Sequence, residues 1–234
     1  MTRAASNEIS VQTFRDQSYT IKIAQMLDVL RREFLQRFQA SASAGNFEAV
    51  IFRTKNDFQS YVSSKKIGVI PDRGAYFPTL RAVLVPLGDS DEAEVLKTLI
   101  HEVIHHFNSM VHGITLPWFD EGVAMYFQES DFRKIPVVLG VFDPAIVNHL
   151  KSSLEKYKLV SLATLVNMEY AAFHIKDIEQ ERLHYDESWA VIHFLIHASE
   201  RIKPADGIYF RTANIYLLFK ICIALQLHKA QRRG

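Results

Sequence analysis

The sequence predicts an α+β protein, in which a mixed α/β N-terminal part leads into a long amphipathic helix and then into a mainly helical remainder. Two observations carry this prediction. Short runs of alternating or continuous apolar residues, typical of β-strands, are confined to residues 1–89. Beyond that point the apolar residues recur every three or four positions, as they do on one face of an α-helix.

The N-terminal part contains several strand candidates and two helices. The stretch "EISVQTF" alternates like a strand, and a helix is expected over Tyr19–Phe38. A second strand, "FEAVIFRT", precedes a short helix, "NDFQSYVSS", for which Asn56 is the expected N-cap. The stretch "GAYFPTLRAVLVPLG" predicts two short strands joined through residues 78–80, and Pro78 favours an edge position for the first of them.

A long helix opens after Ser90. Asp91 is the expected N-cap, and Glu94 three residues later completes an arrangement like a capping box. Further helices are expected over Asp120–Gln128, Pro144–Tyr157, Leu162–Met168, Tyr185–Arg201 and Ile208–Leu227.

Composition narrows the function classes. The net charge of +1 and the scattered basic residues give no field that would attract nucleic acid or an acidic membrane. Cys222 is the only cysteine, which excludes an intrachain disulfide and a cysteine-based metal site. The apolar run "IYLLFKICIALQL" is too short to span a bilayer, so no membrane span is predicted.

The first residues, "MTRAASNEISVQ", lack the apolar core of a signal peptide. The expected location is cytoplasmic if the chain is full length, and secreted or periplasmic if a signal has been removed. The sequence therefore does not decide the localisation. It gives no information on the oligomeric state.

The long helix carries the stretch "TLIHEVIHHFNSM", in which His101, Glu102 and His105 spell H-E-x-x-H. Residues four apart share a helix face, so the two imidazoles can bind one metal ion. Zinc suits such ligands and keeps an open position for water. Glu102 lies one step around the helix, from where its carboxylate can act as general base to that water. His106, which points away from this face, is expected to be structural.

A short motif of this kind also arises by chance in a purely structural helix, so a third ligand matters. A third histidine six residues after His105, with a glycine between, is missing, because Val111 and Asn108 occupy those positions. The other common solution is a glutamate on the next helix. "LPWFDEGVAMYF" supplies Glu121, and its small residue Gly122 would allow this helix to approach the first one closely.

His101-Glu-x-x-His105 followed by "PWFDEGVAMYF" closely resembles the gluzincin zinc peptidases, in particular the peptidase MA-like group. The resemblance extends over roughly residues 45–200 through "NFEAVIFRTKNDFQSYV", "GAYFP" and "YDESWAVIHFLI". It implies a single domain over 1–234 with a two-lobed zincin-like fold. The implied parts are an α/β lobe with an edge strand (1–89), an active-site helix (90–112) and a helical lobe (113–234).

The same resemblance implies further roles. Tyr185 would stabilise the oxyanion of the tetrahedral intermediate, with a core aromatic as the equal alternative and His184 as a weaker competitor. An extended substrate would pair with the edge strand formed by residues 74–77, which are Gly74, Ala75, Tyr76 and Phe77. Asp120 would hydrogen-bond a ligating histidine, or would instead be a helix N-cap.

Taken together, these features predict a Zn²⁺-dependent metallopeptidase that acts on a peptide or protein substrate. His101, His105 and Glu121 would be the ligands and Glu102 the general base. The alternative is a catalytically inactive module of zincin fold that binds a peptide or a protein. Neither the choice between exopeptidase and endopeptidase nor the cleavage preference can be derived from the sequence.

Overall fold

The computed structural model of the protein describes residues 1–6, 8–40, 46–66, 71–88, 91–134 and 136–201. The predicted helix over 208–227 and Cys222 lie outside the described residues. Among the described helices, none has both the length and the hydropathy that a bilayer crossing requires.

Within the described residues, five strands form one mixed sheet in the order β1-β2-β3-β5-β4. The outer pairs, β1 with β2 and β4 with β5, are antiparallel, and the inner pairs are parallel. The strands are β1 Thr2–Ser6, β2 Ile9–Thr13, β3 Phe47–Phe52, β4 Ala75–Phe77 and β5 Ala82–Pro86. The predicted strands are confirmed, and β4 lies at an edge as expected. Strand β1 was not predicted.

Eight helices are present in the described part of the chain, and most of them follow the sheet. They are α1 Gln17–Arg37, α2 Lys55–Ser64, α3 Glu92–His112, α4 Pro117–Gln128, α5 Pro144–Glu155, α6 Leu162–Leu165, α7 Tyr170–Phe173 and α8 Ile178–Arg201. The α+β class is therefore confirmed. Helix α8 begins seven residues earlier than expected, and the short helix α7 was not predicted.

The chain divides into two compact units. Of the described residues, the first unit holds those within 1–34, 46–114 and 124–143, and the second holds those within 35–40, 115–123 and 144–201. Helix α4 contributes its first residues to the second unit and its last residues to the first.

The core of the first unit lies between the sheet and α3, which packs on β4 and β5. Phe107 of α3 is fully buried, and its ring centroid lies 5.5 Å from that of Phe34 and 5.8 Å from that of Phe47. The ring centroid of Phe127 lies 5.7 Å from that of Phe34. These aromatic contacts fix α3, and with it the H-E-x-x-H residues, against the sheet.

The helix caps confirm one prediction and correct two. Asp91 is the N-cap of α3, and its side chain accepts hydrogen bonds from the backbone N–H groups of residues 93 and 94. Helix α2 is capped by Thr54 instead of Asn56, because the Thr54 hydroxyl accepts from the N–H of Asp57. Asp120 cannot be an N-cap, because α4 begins at Pro117, three residues earlier.

In the second unit, Gly122 of α4 allows a close approach to α8. A Cβ atom at this position would lie 2.7 Å from the carbonyl oxygen of Ser188 and 2.8 Å from Ile192. The contact that requires a glycine at position 122 is therefore the one with α8, and the expected approach of α4 to the H-E-x-x-H helix stays a prediction.

Candidate metal centre

Helix α3 brings the three motif residues together. His101 and His105 lie one turn apart, with ring centroids 4.8 Å apart and planes at 79°. The candidate ligand atoms of these two residues and of Glu102 all lie within 4.8 Å of one another, and all three side chains are half-buried. Among the described residues, this is the group that could hold a metal ion.

The cluster fits zinc by its chemistry and its dimensions. Bonds of about 2 Å in a tetrahedral site place two ligand atoms roughly 3.3 Å apart. The candidate ligand atoms lie within 4.8 Å of one another, so modest side-chain rotations would bring them to this spacing. Imidazole nitrogens with a nearby carboxylate are also donors that zinc accepts readily.

The edge strand reaches the motif through Tyr76. Its backbone N–H donates a hydrogen bond of 2.9 Å to Oε2 of Glu102. A donor of this kind stabilises the ionised carboxylate. Gly74 precedes the strand at a φ of 141°, where a Cβ atom would lie 3.0 Å from the carbonyl oxygen of Leu84. Of the four predicted substrate-binding residues, Gly74 thus lies just outside β4, and the other three form it.

The side chain of Tyr76 also packs on α3. Its ring lies 5.1 Å from that of His106, and its hydroxyl interacts with the side chain of Ser109. Burial raises the pKa of Tyr76, although the interaction with Ser109 partly opposes the shift. His106 is fully buried between Tyr76 and Phe47, whose ring lies 4.5 Å away, which supports the structural role expected for this histidine.

A residue at the end of α4 holds His101 in place. Its Nδ1 lies 3.0 Å from Oε1 of Gln128, and Nε2 of Gln128 donates to Oε1 of Glu129 at 2.9 Å. The ammonium group of Lys97 donates to Oε2 of Glu129 at 2.7 Å. Burial alone would lower the pKa of Lys97, but the hydrogen bond and charge of Glu129 outweigh this effect and raise it. Lys97 therefore carries its charge.

Glu121 and Tyr185 lie on either side of one histidine in the second unit. Glu121 is 8% exposed, and its Oε1 lies 3.7 Å from Nε2 of His174. The hydroxyl of Tyr185 lies 3.4 Å from Nδ1 of the same ring. The structure thus brings the predicted ligand Glu121 and the predicted oxyanion donor Tyr185 to a common neighbour. Their roles stay predictions.

Two further candidates occupy defined positions. His184 is 3% exposed, and its Nδ1–H donates to the backbone carbonyl of Phe173 at 2.9 Å. This bond gives His184 a structural role between α8 and α7, which argues against it as the competitor of Tyr185. Asp120 is half-buried in the first turn of α4, where an acidic side chain favours the helix dipole. Its predicted bond to a ligating histidine stays a prediction.

Sequence reasoning missed Gln128, Glu129 and His174. Gln128 follows Glu121 by seven residues, which is two helical turns, so the two share one side of α4. This spacing is a signal that could have drawn attention to Gln128. His174 lies in the segment between α7 and α8 and has no comparable signal, because no helical or strand period relates it to the motif.

The fold and the cluster define a mixed α/β protein with a candidate metal centre on its third helix. Residues 95–203 match the model of a family described as "Protein of unknown function (DUF1570)". The matched stretch contains the H-E-x-x-H residues and helices α4 to α8. Comparison with curated proteins gives no match, and comparison with solved structures gives none either.

Proposed function

We propose that this protein is a zinc-dependent metallopeptidase with a two-lobed fold of the zincin type. The observation that carries the proposal is the cluster on α3, where two imidazoles and one carboxylate gather within 4.8 Å. The compound pattern of H-E-x-x-H and "PWFDEG", with its resemblance to gluzincin peptidases, supports the same function.

His101 and His105 are the proposed imidazole ligands, and Glu121 is the proposed third ligand. The near-complete burial of Glu121 supports a partnered carboxylate, because an isolated buried charge is costly. Zn²⁺ bound by this set would polarise a carbonyl group and acidify a water molecule.

Glu102 is the proposed general base. It takes the proton of the attacking water and later gives it to the departing amine, so that hydrolysis is balanced and the carboxylate is regenerated. The N–H of Tyr76 supports this role, since it stabilises the ionised form that accepts the proton. Tyr185 is the proposed donor to the oxyanion, and its half-buried side chain would act where water is scarce.

The substrate is proposed to lie along β4. In an antiparallel pair, the N–H and the C=O of one residue point to the same side. The carbonyl oxygen of Tyr76 therefore faces the side on which its N–H meets Glu102. An extended peptide could donate to this carbonyl and so place its backbone beside the general base.

The experiment is hydrolysis of a diverse peptide pool by the zinc-loaded protein, followed by mass spectrometry, with Glu102→Gln as the matched variant. The wild type is expected to cleave peptides, whereas Glu102→Gln retains zinc and loses cleavage. Full activity of Glu102→Gln would end the assignment. If both proteins hold zinc, neither cleaves and the wild type retains peptides, the alternative of an inactive binding module takes its place.

A further inference from the structure

A series of hydrogen bonds leads from solvent to the ring of His101. We call this series the relay; its members, outward from the ring, are Gln128, Glu129 and Lys97. We propose that the relay fixes His101 in its Nδ1–H tautomer and so presents Nε2 as the atom that binds the metal. This inference rests on the candidate metal centre and adds positioning residues to it.

The outer end of the relay sets the direction of the hydrogen bonds. The Lys97 ammonium can only donate, and the Glu129 carboxylate can only accept. The side chain of Gln128 must therefore turn its NH₂ group to Glu129, which it meets at 2.9 Å. The opposite orientation of the amide would place two acceptor oxygens against each other.

The same logic continues to the ring. With its NH₂ group on Glu129, Gln128 presents its carbonyl oxygen to His101 at 3.0 Å. A carbonyl oxygen can only accept, so Nδ1 of His101 must carry the hydrogen. A neutral imidazole with the hydrogen on Nδ1 has its lone pair on Nε2, and that atom is then ready for a cation.

The charges of the relay support its geometry. The side chain of Glu129 is only 9% exposed, so its carboxylate needs a cation, and the Lys97 ammonium supplies it at 2.7 Å. Asp143 lies 3.7 Å from the same ammonium group and helps to hold it in place. Removing Lys97 would leave a nearly buried carboxylate without its counter-ion, which weakens the anchor of Gln128.

Packing alone does not hold Gln128. A cavity of about 490 Å³ is lined by all three relay residues together with apolar side chains such as Leu96 and Ile100. A side chain beside a cavity has room for other rotamers, so the hydrogen bonds must select one. The cavity also means that a leucine at position 128 can be accommodated without a clash.

The test compares the wild type with Gln128→Leu, which removes the acceptor for Nδ1–H. Gln36→Leu, the same change at an exposed glutamine of α1, is the control. Long-range ¹H–¹⁵N NMR of the metal-free protein reports the tautomer of His101, assigned by its loss in His101→Gln. Competition with a chelator reports zinc affinity.

The wild type is expected to show the Nδ1–H tautomer. Gln128→Leu is expected to show a mixed tautomer and a zinc affinity lower by about 10–100-fold, and Gln36→Leu should match the wild type. An Nε2–H tautomer in the wild type, or an unchanged tautomer and affinity in Gln128→Leu, would overturn the inference.

Two further outcomes are informative. If Gln128→Leu fails to fold, Glu129→Gln provides the second test, because an amide at 129 no longer dictates the orientation of Gln128; an unchanged tautomer there overturns the relay. If the wild type binds no zinc but its His101 tautomer depends on Gln128, the control of the tautomer stands, while the role of Nε2 as a metal ligand and the proposed peptidase function both fail.

Discussion

The backbone N–H of Tyr76 donates a hydrogen bond of 2.9 Å to Oε2 of Glu102. This contact joins the edge strand of the sheet to the acidic residue of H-E-x-x-H, two features that lie 26 residues apart in the chain. It means that the strand proposed to hold the substrate also holds the proposed general base.

Replacement of Tyr76 by proline removes this N–H, and an edge strand tolerates a proline. We expect Tyr76→Pro to lower peptide hydrolysis by about tenfold or more, since a hydrogen bond to a charged group contributes roughly 1.5–3 kcal/mol. Bound zinc should be unchanged. Tyr76→Ala, which loses the same ring but keeps the N–H, is the control. Equal activity of the two variants would show that the contact has no catalytic role.

The two alternatives for Tyr185, a donor to the oxyanion and a core aromatic, differ in whether its hydroxyl is needed for catalysis. Tyr185→Phe keeps the packing of the ring, so a donor role predicts a fall in kcat of about 10²–10³-fold with the same zinc content and stability. Tyr157→Phe, at a tyrosine that is 95% exposed, should leave kcat unchanged. Wild-type kcat in Tyr185→Phe would assign the residue to packing alone.

Gly122→Ala tests the contact of α4 with α8. An alanine normally stabilises a helix relative to glycine by roughly 0.5–1 kcal/mol. Here its Cβ atom would lie 2.7 Å from a backbone oxygen of α8, so we expect a loss of stability of about 1–3 kcal/mol. Urea unfolding measures the change, and a higher midpoint for the variant would contradict the close approach.

Glu187 should make the stability of the fold depend on pH. This residue of α8 is 7% exposed, and its Oε1 accepts a hydrogen bond from the N–H of Val160. Burial raises the pKa of Glu187 from 4.5 to about 7. Because the folded state binds the proton more tightly, this contribution to stability is present at low pH and is lost as the pH rises from about 4.5 to about 7.

Glu187→Gln removes the charge and should therefore be more stable than the wild type at pH 8, by about 1–3 kcal/mol. At pH 4.5 the two proteins should differ little. Urea midpoints at both values measure the difference, and Glu155→Gln, at an exposed position, is the control. An equal difference at the two pH values would argue against a raised pKa.

Much of the fold follows from local signals in the sequence. The periodicity of α3 and its cap at Asp91 predicted that helix closely, and Pro78 correctly marked the edge strand. Strand β1 was missed because "TRAAS" contains few of the residues that favour strands. Its place comes from pairing with β2, a contact that no local pattern reveals.

Some of the errors had usable signals. Thr54 and Asp57 have the T-x-x-D spacing that is typical of a helix start. This spacing is a stronger signal for the N-cap than the nearby Asn56 alone. Asp177, whose side chain accepts from the N–H groups of residues 179 and 180, marks the true start of α8.

The candidate site likewise has one part that the sequence predicts and another part that it does not. His101, Glu102 and His105 were predictable because their spacing within one helix fixes their geometry. The contacts of His101 with Gln128, and of Tyr76 with Glu102, depend on how separate elements pack. The sequence carries that information only through the whole fold, and local patterns cannot supply it.

Zinc binding tests the central claim most directly. The measurement is a titration of metal-free protein with Zn²⁺ against a competing chelator, for the wild type, His101→Ala and Glu121→Ala. The account predicts one tightly bound ion per wild-type chain, no comparable binding in His101→Ala, and weakened binding in Glu121→Ala. A wild-type protein that binds no stoichiometric zinc would contradict it.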